Sequence, residues 1–142
     1  MSDLYDTDVL TWSERQAALL RRVAAGERVN DQVDWEHVAE EVESVGRSQV
    51  DVVESLLTQI LAHRLKEAGW PASLSMRHWQ KERRVFARQA RRKFTESMRG
   101  KLDLDELHGD ALLGLPDDMD GQPPQPVSQK CPWTIDELLS EA

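Results

Sequence analysis

The chain has 142 residues, of which 39% are hydrophobic, and it carries 26 acidic side chains against 18 basic ones, for a net charge of −8. A chain of this length can bury roughly two thirds of its unfolded surface, so it can form a core without disulfides or structural metal. The single cysteine, Cys131, excludes an internal disulfide and every multi-thiolate zinc site. No apolar run approaches the roughly 20 residues needed to cross a bilayer, and acids among the first residues disfavour a signal peptide, so the expected location is the cytoplasm.

The charge is distributed unevenly along the chain. Residues 1–76 carry seven basic and fourteen acidic side chains, residues 77–101 carry ten and two, and residues 102–142 carry one and ten. The three segments therefore have net charges of −7, +8 and −9, which together give the total of −8. The total conceals a strongly basic segment between two acidic ones.

Hydrophobic periodicity predicts helices almost throughout, and no segment shows the alternation that is typical of a strand. A first helix is predicted over residues 7–25 and a second over residues 34–68. The second helix is expected to have a kink or a short interruption at Gly46 to Ser48. A glycine weakens a helix, and Ser48 with Asp51 offers a fresh N-terminal cap.

The third predicted helix contains the basic segment. The turn Gly69-Trp70-Pro71 separates it from the second helix, and Ser75 can cap it, so that it reaches about residue 94 or 98. A short fourth helix is predicted over residues 103–113. The predicted fold class is all-α: a small helical bundle with a long kinked second helix, a basic third helix and a short C-terminal latch helix.

The end of the sequence combines a linker with strong helix signals. Residues 116–130 form an acidic, proline-rich linker. Thr134 and Glu137 then have the spacing of a capping box, which predicts a short helix. Four apolar side chains are expected to latch this helix either onto its own bundle or onto that of a second copy, namely Trp133, Ile135, Leu138 and Leu139. The predicted organisation is a bundle domain over residues 1–115, the linker 116–130 and the latch 131–142.

Five motifs occur in an order that resembles a known bacterial family. They are Tyr5 with Trp12, Glu40-Glu41-Val42-Glu43-Ser44 with Gly46-Arg47-Ser48, Leu61-Ala62-His63-Arg64-Leu65-Lys66, the stretch from Ser75 to Trp79, and Cys131-Pro132-Trp133-Thr134. The family is known only as domain of unknown function number twenty-nine, and the resemblance covers nearly the whole chain. It implies an all-helical fold and a bacterial source, and it supplies neither an activity nor site residues. The chain departs from the family pattern after residue 95.

The basic segment gives the strongest functional signal. Four arginines follow one helix face as a positive stripe suited to phosphates, namely Arg84, Arg88, Arg91 and Arg92. The acidic segments on either side would repel a nucleic-acid backbone. The leading interpretation is therefore neutralisation within the fold or an acidic protein partner, and a nucleic acid is the alternative. Whether these arginines pair with the acids of residues 40–54 or stand free should discriminate between the two.

His63 lies on an apolar helix stripe. A hairpin that turns near residue 71 would place it across from His78 and Trp79. The expected role of this imidazole is packing at the edge of the core, because a catalytic histidine needs a matched acid or nucleophile beside it. Glu67 and Glu82 are the nearest candidates, and neither match is tight.

Glu40 and Glu41 belong to an acidic cluster that ends at Glu43. Such a cluster is usually a solvated helix face or a counter-charge, although paired carboxylates can also hold a metal. A metal-dependent hydrolase that uses the histidines and this cluster is a weaker alternative. We predict no catalytic residue, no metal site and no cofactor. The leading hypothesis is a non-enzymatic protein–protein interaction module. It is predicted to bind a protein partner or a second copy of itself, and not to bind a membrane.

Overall fold

A computed structural model describes residues 3–141, and this part of the chain contains six α-helices, two 3₁₀ segments and no β-strand. The α-helices are α1 (Leu4–Thr7), α2 (Val9–Ala24), α3 (Trp35–Gly69), α4 (Met76–Lys93), α5 (Leu104–Leu113) and α6 (Ile135–Leu139); the 3₁₀ segments are Asn30–Gln32 and Glu96–Lys101. The predicted all-α fold class is confirmed. Within the described residues, every helix is too short or too polar to span a membrane.

The longest element is α3. Its helical hydrogen bonding continues through Gly46 and Ser48, so the short interruption predicted there is absent, and the kink stays a prediction. A single glycine costs a helix only about 1 kcal/mol relative to alanine. Continuous helical hydrogen bonding on both sides offsets that cost, so the cap signal at Ser48 is not used.

The chain divides into two compact units, Met1–Arg47 and Ser48–Ala142. The first unit contains α1, α2 and the start of α3. The Asp8 carboxylate caps α2 by accepting hydrogen bonds from the backbone and the hydroxyl of Thr11, at 3.1 and 2.7 Å. Few apolar side chains are buried in the described part of this unit, namely Trp12, Val29 and Val33.

The second unit contains the main hydrophobic core. One face of α3 supplies large aliphatic side chains at helical spacing, and α4 supplies two alanines that allow close packing. The core residues are Val53, Leu57, Ile60, Leu61 and Leu65 of α3, Ala87 and Ala90 of α4, Met98 of the second 3₁₀ segment, Leu107 and Ala111 of α5, and Ile135, Leu138 and Leu139 of α6. Burial of each large aliphatic side chain contributes about 1.5–3 kcal/mol, so this face holds the second unit together.

The linker packs against the turn between α3 and α4. The backbone N–H of Gln125 donates to the carbonyl of Gly69 at 2.8 Å, and Nε1 of Trp70 donates to the carbonyl of Gln122 at 2.9 Å. A Cβ atom added to Gly69 would lie 3.2 Å from Cβ of Pro124, so a glycine permits this close approach. Specific hydrogen bonds therefore fix the middle of the linker.

The latch segment, residues 131–141, closes the core. The hydroxyl of Thr134 accepts from the backbone N–H of Glu137, and the Glu137 carboxylate accepts from the backbone N–H of Thr134, both at 3.1 Å. The predicted capping box is thus confirmed. Leu138 is fully buried. A helix of five residues is not stable alone in water, so α6 depends on this packing.

Candidate functional site

A groove lined with cations runs along the exposed face of α4, and we call it the basic groove. Its volume is about 400 Å³, and its lining residues are Lys81, Arg84, Val85, Arg88, Gln89, Arg92 and Glu141. The cations recur every three or four residues, so they stand above one another on one face of the helix. From Lys81 to Arg92 the row spans about 16 Å.

One carboxylate of the chain already lies in the basic groove. Nε of Arg88 donates to Oε1 of Glu141 at 2.9 Å, and a terminal guanidinium nitrogen of Arg91 donates to the same oxygen at 2.6 Å. The hydrogen bond from Arg88 is the main reason why the pKa of Glu141 lies below its ordinary range. Glu141 follows α6, so the buried latch helix brings this carboxylate to the groove.

The counter-charges of the arginines differ from those expected. Among residues 3–141, Lys81, Arg84 and Arg92 form no ion pair, whereas Arg88 and Arg91 share Glu141. Within the second unit, the acids of residues 48–54 pair with none of these arginines. The basic groove is thus partly neutralised by the latch segment and partly free.

Arg83 is a cation of α4 that does not belong to the basic groove. It lies on the apolar side of the helix and is buried. Its guanidinium donates to both carboxylate oxygens of Glu67, at 2.8 and 3.2 Å. Glu67 is itself largely buried, with 15% of its side chain exposed. This two-pronged ion pair joins α3 to α4 inside the fold and is unavailable to a ligand.

The carboxylate of Glu82 contacts both His63 of α3 and His78 of α4. Nε2 of His63 lies 2.6 Å from Oε2 of Glu82, and Nε2 of His78 lies 3.1 Å from Oε1. The hydrogen bond from His63 is the main cause that lowers the pKa of Glu82. Nδ1 of His63 lies 2.7 Å from the carbonyl oxygen of Gln59. Both ring nitrogens therefore face acceptors, and neither is free to take a proton from a substrate.

The neighbouring motif residue Trp79 is also buried in the second unit, on α4. Trp79 is 5% exposed, and His63 is equally buried, whereas His78 is exposed. The hairpin of α3 and α4 thus brings His63 and His78 together through one carboxylate. Because both ring nitrogens of His63 face acceptors and Trp79 is buried, we assign this cluster to the structure of the hairpin.

An aromatic and acidic cluster holds the first unit together. Nε1 of Trp12 donates to Oδ2 of Asp34 at 3.1 Å, and Nδ1 of His37 lies 2.7 Å from the same oxygen. The Tyr5 ring stacks on His37 at 4.0 Å, and its hydroxyl donates to Glu41 at 2.5 Å. This hydrogen bond raises the pKa of Tyr5 to about 12. These contacts tie α1 and α2 to the start of α3.

The same cluster contains the single group of metal-ligand atoms found in residues 3–141. The ligand atoms of Asp3, Asp34 and His37 lie within 4.8 Å of one another. The hydrogen bond from His37 lowers the pKa of Asp34, and that contact raises the pKa of His37. Asp34 is thus already engaged by donors. Of the predicted acidic pair, Glu41 takes part in the cluster, whereas Glu40 is exposed and forms no hydrogen bond among the described residues.

The fourth histidine, His108 of α5, lies beneath the latch segment. It is fully buried, and neither ring nitrogen has a hydrogen-bond partner in the described chain. The ring packs against Trp133, with the centroids 6.3 Å apart. Burial lowers the pKa of His108, although the carboxylate of Asp105 acts in the opposite direction. The folded state therefore favours the neutral imidazole.

Acid should weaken the fold through His108. Because its folded-state pKa lies below the ordinary value of about 6.5, the unfolded chain takes up the proton first as the pH falls. The stability that depends on neutral His108 is complete above that value and declines below it. We expect His108→Leu to lose less free energy of unfolding than the wild type between about pH 7 and about pH 5, measured by urea titration. An equal loss in both chains would contradict this assignment.

Two of these residues carried no signal in the sequence. Glu141 is one acid among many, and only the burial of α6 brings it to α4. Nothing in the sequence shows that the latch segment covers His108. By contrast, His63 and Glu82 could be paired roughly from the position of the hairpin turn, because two antiparallel helices meet at positions of constant sum.

Of the comparisons with known proteins, a solved structure supports the fold and a family model shows the family. The crystal structure of an alpha-helical protein of unknown function from Rhodospirillum rubrum is similar, with a TM-score of 0.65 and 23% identity over 99% of this chain and 92% of that chain. At this identity the likeness shows the fold alone. No curated protein matches the chain. The model of the domain of unknown function DUF29 matches residues 4–142, so the chain belongs to the DUF29 family.

Proposed function

We propose that the protein is a binding module whose basic groove takes an acidic segment of a protein partner. The observation that supports this most is the seat of Glu141, whose carboxylate lies on Arg88 and Arg91 at 2.9 and 2.6 Å. A side-chain carboxylate on a polypeptide therefore fits the groove without rearrangement. Charge-assisted hydrogen bonds of this kind are stronger than neutral ones.

The free cations extend the same argument. Lys81, Arg84 and Arg92 line the groove without an ion pair among residues 3–141. An acidic segment can satisfy them in addition to the two arginines that Glu141 contacts. A row of uncompensated positive charge also steers an oppositely charged partner towards the groove.

A nucleic acid is the second candidate, because the same three free cations suit phosphates as well as carboxylates. The net charge of −8 repels both ligands, so the seat of Glu141 decides their order, because it is a polypeptide carboxylate that lies on Arg88 and Arg91. We therefore place it second, and the test below separates the two ligands. We also propose a cytoplasmic location, which the single cysteine supports.

Reversing the charge of free cations in the groove should weaken its binding of an acidic peptide. We expect the double variant Arg84→Glu/Arg92→Glu to bind a labelled peptide of about ten glutamates at least about tenfold more weakly than the wild type, because each reversal replaces an attraction by a repulsion. Neither residue forms an ion pair among the described residues, so the fold should be unaffected. Fluorescence polarisation at about 50 mM salt measures the affinity.

Arg15→Glu/Arg28→Glu is the matched control, because it makes the same two changes at exposed residues that lie outside the groove and form no ion pair among the described residues. It should leave peptide affinity almost unchanged. Equal losses in the double variant and the control would contradict a specific groove. Tighter binding of a single-stranded oligonucleotide than of the peptide, with a steep salt dependence, would instead favour the nucleic-acid candidate.

A further inference from the structure

We infer that Glu141 is a tethered competitor in the basic groove, and that the ligand which displaces it is a polypeptide run with several carboxylates rather than a single one. This inference rests on the proposed function of the groove. It adds a form of regulation, since the chain limits its own affinity for the ligand. It also adds a ligand class, since the length of the groove selects for several acidic side chains in one segment.

Glu141 is placed so that it can leave. It follows Ser140, the residue that ends α6, while the fully buried Leu138 anchors the helix in the core. The side chains of Arg88 and Arg91 are 62% and 46% exposed. The carboxylate can therefore be exchanged for another at the surface, and the core contacts of α6 need not change.

The two arginines also bind Glu141 through only part of its carboxylate. Both arginines donate to one oxygen, Oε1. Exposed ion pairs of this kind are weak, because water screens them and long side chains must be ordered. The tether raises the local concentration of Glu141, which compensates for this weakness. The result is a contact that fills the groove in the absence of ligand and yields to a stronger one.

The unused cations define the stronger ligand. A single carboxylate can only replace what Glu141 already provides, so it gains nothing by displacing a tethered group. A run of acids can in addition reach Lys81, Arg84 and Arg92, none of which forms an ion pair within residues 3–141. The row of cations is about 16 Å long and has one cation or more per helical turn of about 5.4 Å. Three or more carboxylates at that spacing match it.

The test compares Glu141→Gln with Asp118→Asn in the full chain. Both changes remove one negative charge from the second unit, but Asp118 is exposed, lies outside the groove and forms no ion pair among the described residues. With the labelled glutamate peptide, we expect Glu141→Gln to bind about threefold to tenfold more tightly than the wild type, because the competitor is lost. Asp118→Asn should bind within about 1.5-fold of the wild type.

Equal gains in the two variants would show a general effect of net charge and would overturn the competitor while leaving the binding function intact. No binding to any chain, including Glu141→Gln, would overturn the function and the competitor together. Free glutamate should not displace the labelled peptide from the wild type at concentrations where the unlabelled peptide does. Displacement by free glutamate at equal carboxylate concentration would overturn the requirement for repeated acids.

Discussion

Arg83→Met is expected to lower the free energy of unfolding by about 3 kcal/mol, because it leaves the Glu67 carboxylate largely buried without its cation. Arg83 is 6% exposed, and its guanidinium contacts both oxygens of Glu67. The double variant Arg83→Met/Glu67→Met should recover to within about 1 kcal/mol of the wild type, since no buried charge then remains. Urea titration followed by tryptophan fluorescence measures these values.

Arg88→Met is the matched control for that experiment. It makes the same substitution on the same helix, but the side chain of Arg88 is 62% exposed and its partner Glu141 is also accessible. Its effect on stability should be far smaller than that of Arg83→Met. We expect a large loss only when one partner of the buried ion pair is removed. Similar losses for Arg83→Met and Arg88→Met would contradict this, and so would a double variant that is as unstable as Arg83→Met alone.

Leu138→Ala is expected to destabilise the protein by about 2–5 kcal/mol, because it removes buried methyl groups and leaves a cavity beneath α6. Leu138 is fully buried within the same core as Leu57 and Ile60 of α3. The latch segment is thus expected to unfold together with the second unit rather than before it. The midpoint and slope of a urea titration distinguish these two cases.

Leu113→Ala is the control for the latch variant. It makes the same substitution at the end of α5, where the side chain is 88% exposed. Its effect should lie within about 0.5 kcal/mol of zero. A loss of less than about 1 kcal/mol for Leu138→Ala would show that the latch segment leaves the core readily in solution.

Local signals predicted most of the helices. The predicted fourth helix over residues 103–113 corresponds to α5, because Asp103 accepts from the backbone N–H of Glu106 and so caps it as its position suggests. The capping box of Thr134 and Glu137 likewise marks α6. A helix cap joins a side chain to a backbone N–H two or three residues further along, so both partners can be recognised in the sequence.

Contacts between distant residues were predicted less well. The arginine stripe was visible in the sequence, but its counter-charge, Glu141, lies about 50 residues away from Arg88 and Arg91. Likewise, the linker has the composition of a solvated chain, yet Trp70 donates a hydrogen bond to Gln122 and Gly69 accepts one from Gln125, which fixes it. Such pairings depend on how the helices pack, which one sequence without its relatives does not encode locally.

The two hydrogen bonds between the linker and the turn after α3 also restrict the reach of the latch segment. Because Gln125 is held at Gly69, Cys131 lies six residue steps from that anchor, a span of at most about 20 Å. α6 can therefore search only a small volume, and its own core lies within it. Insertion into a second molecule would first require α6 to leave its own core and the bond of Gln125 to Gly69 to break, so exchange between molecules would be slow and the state found after purification would depend on the history of the sample.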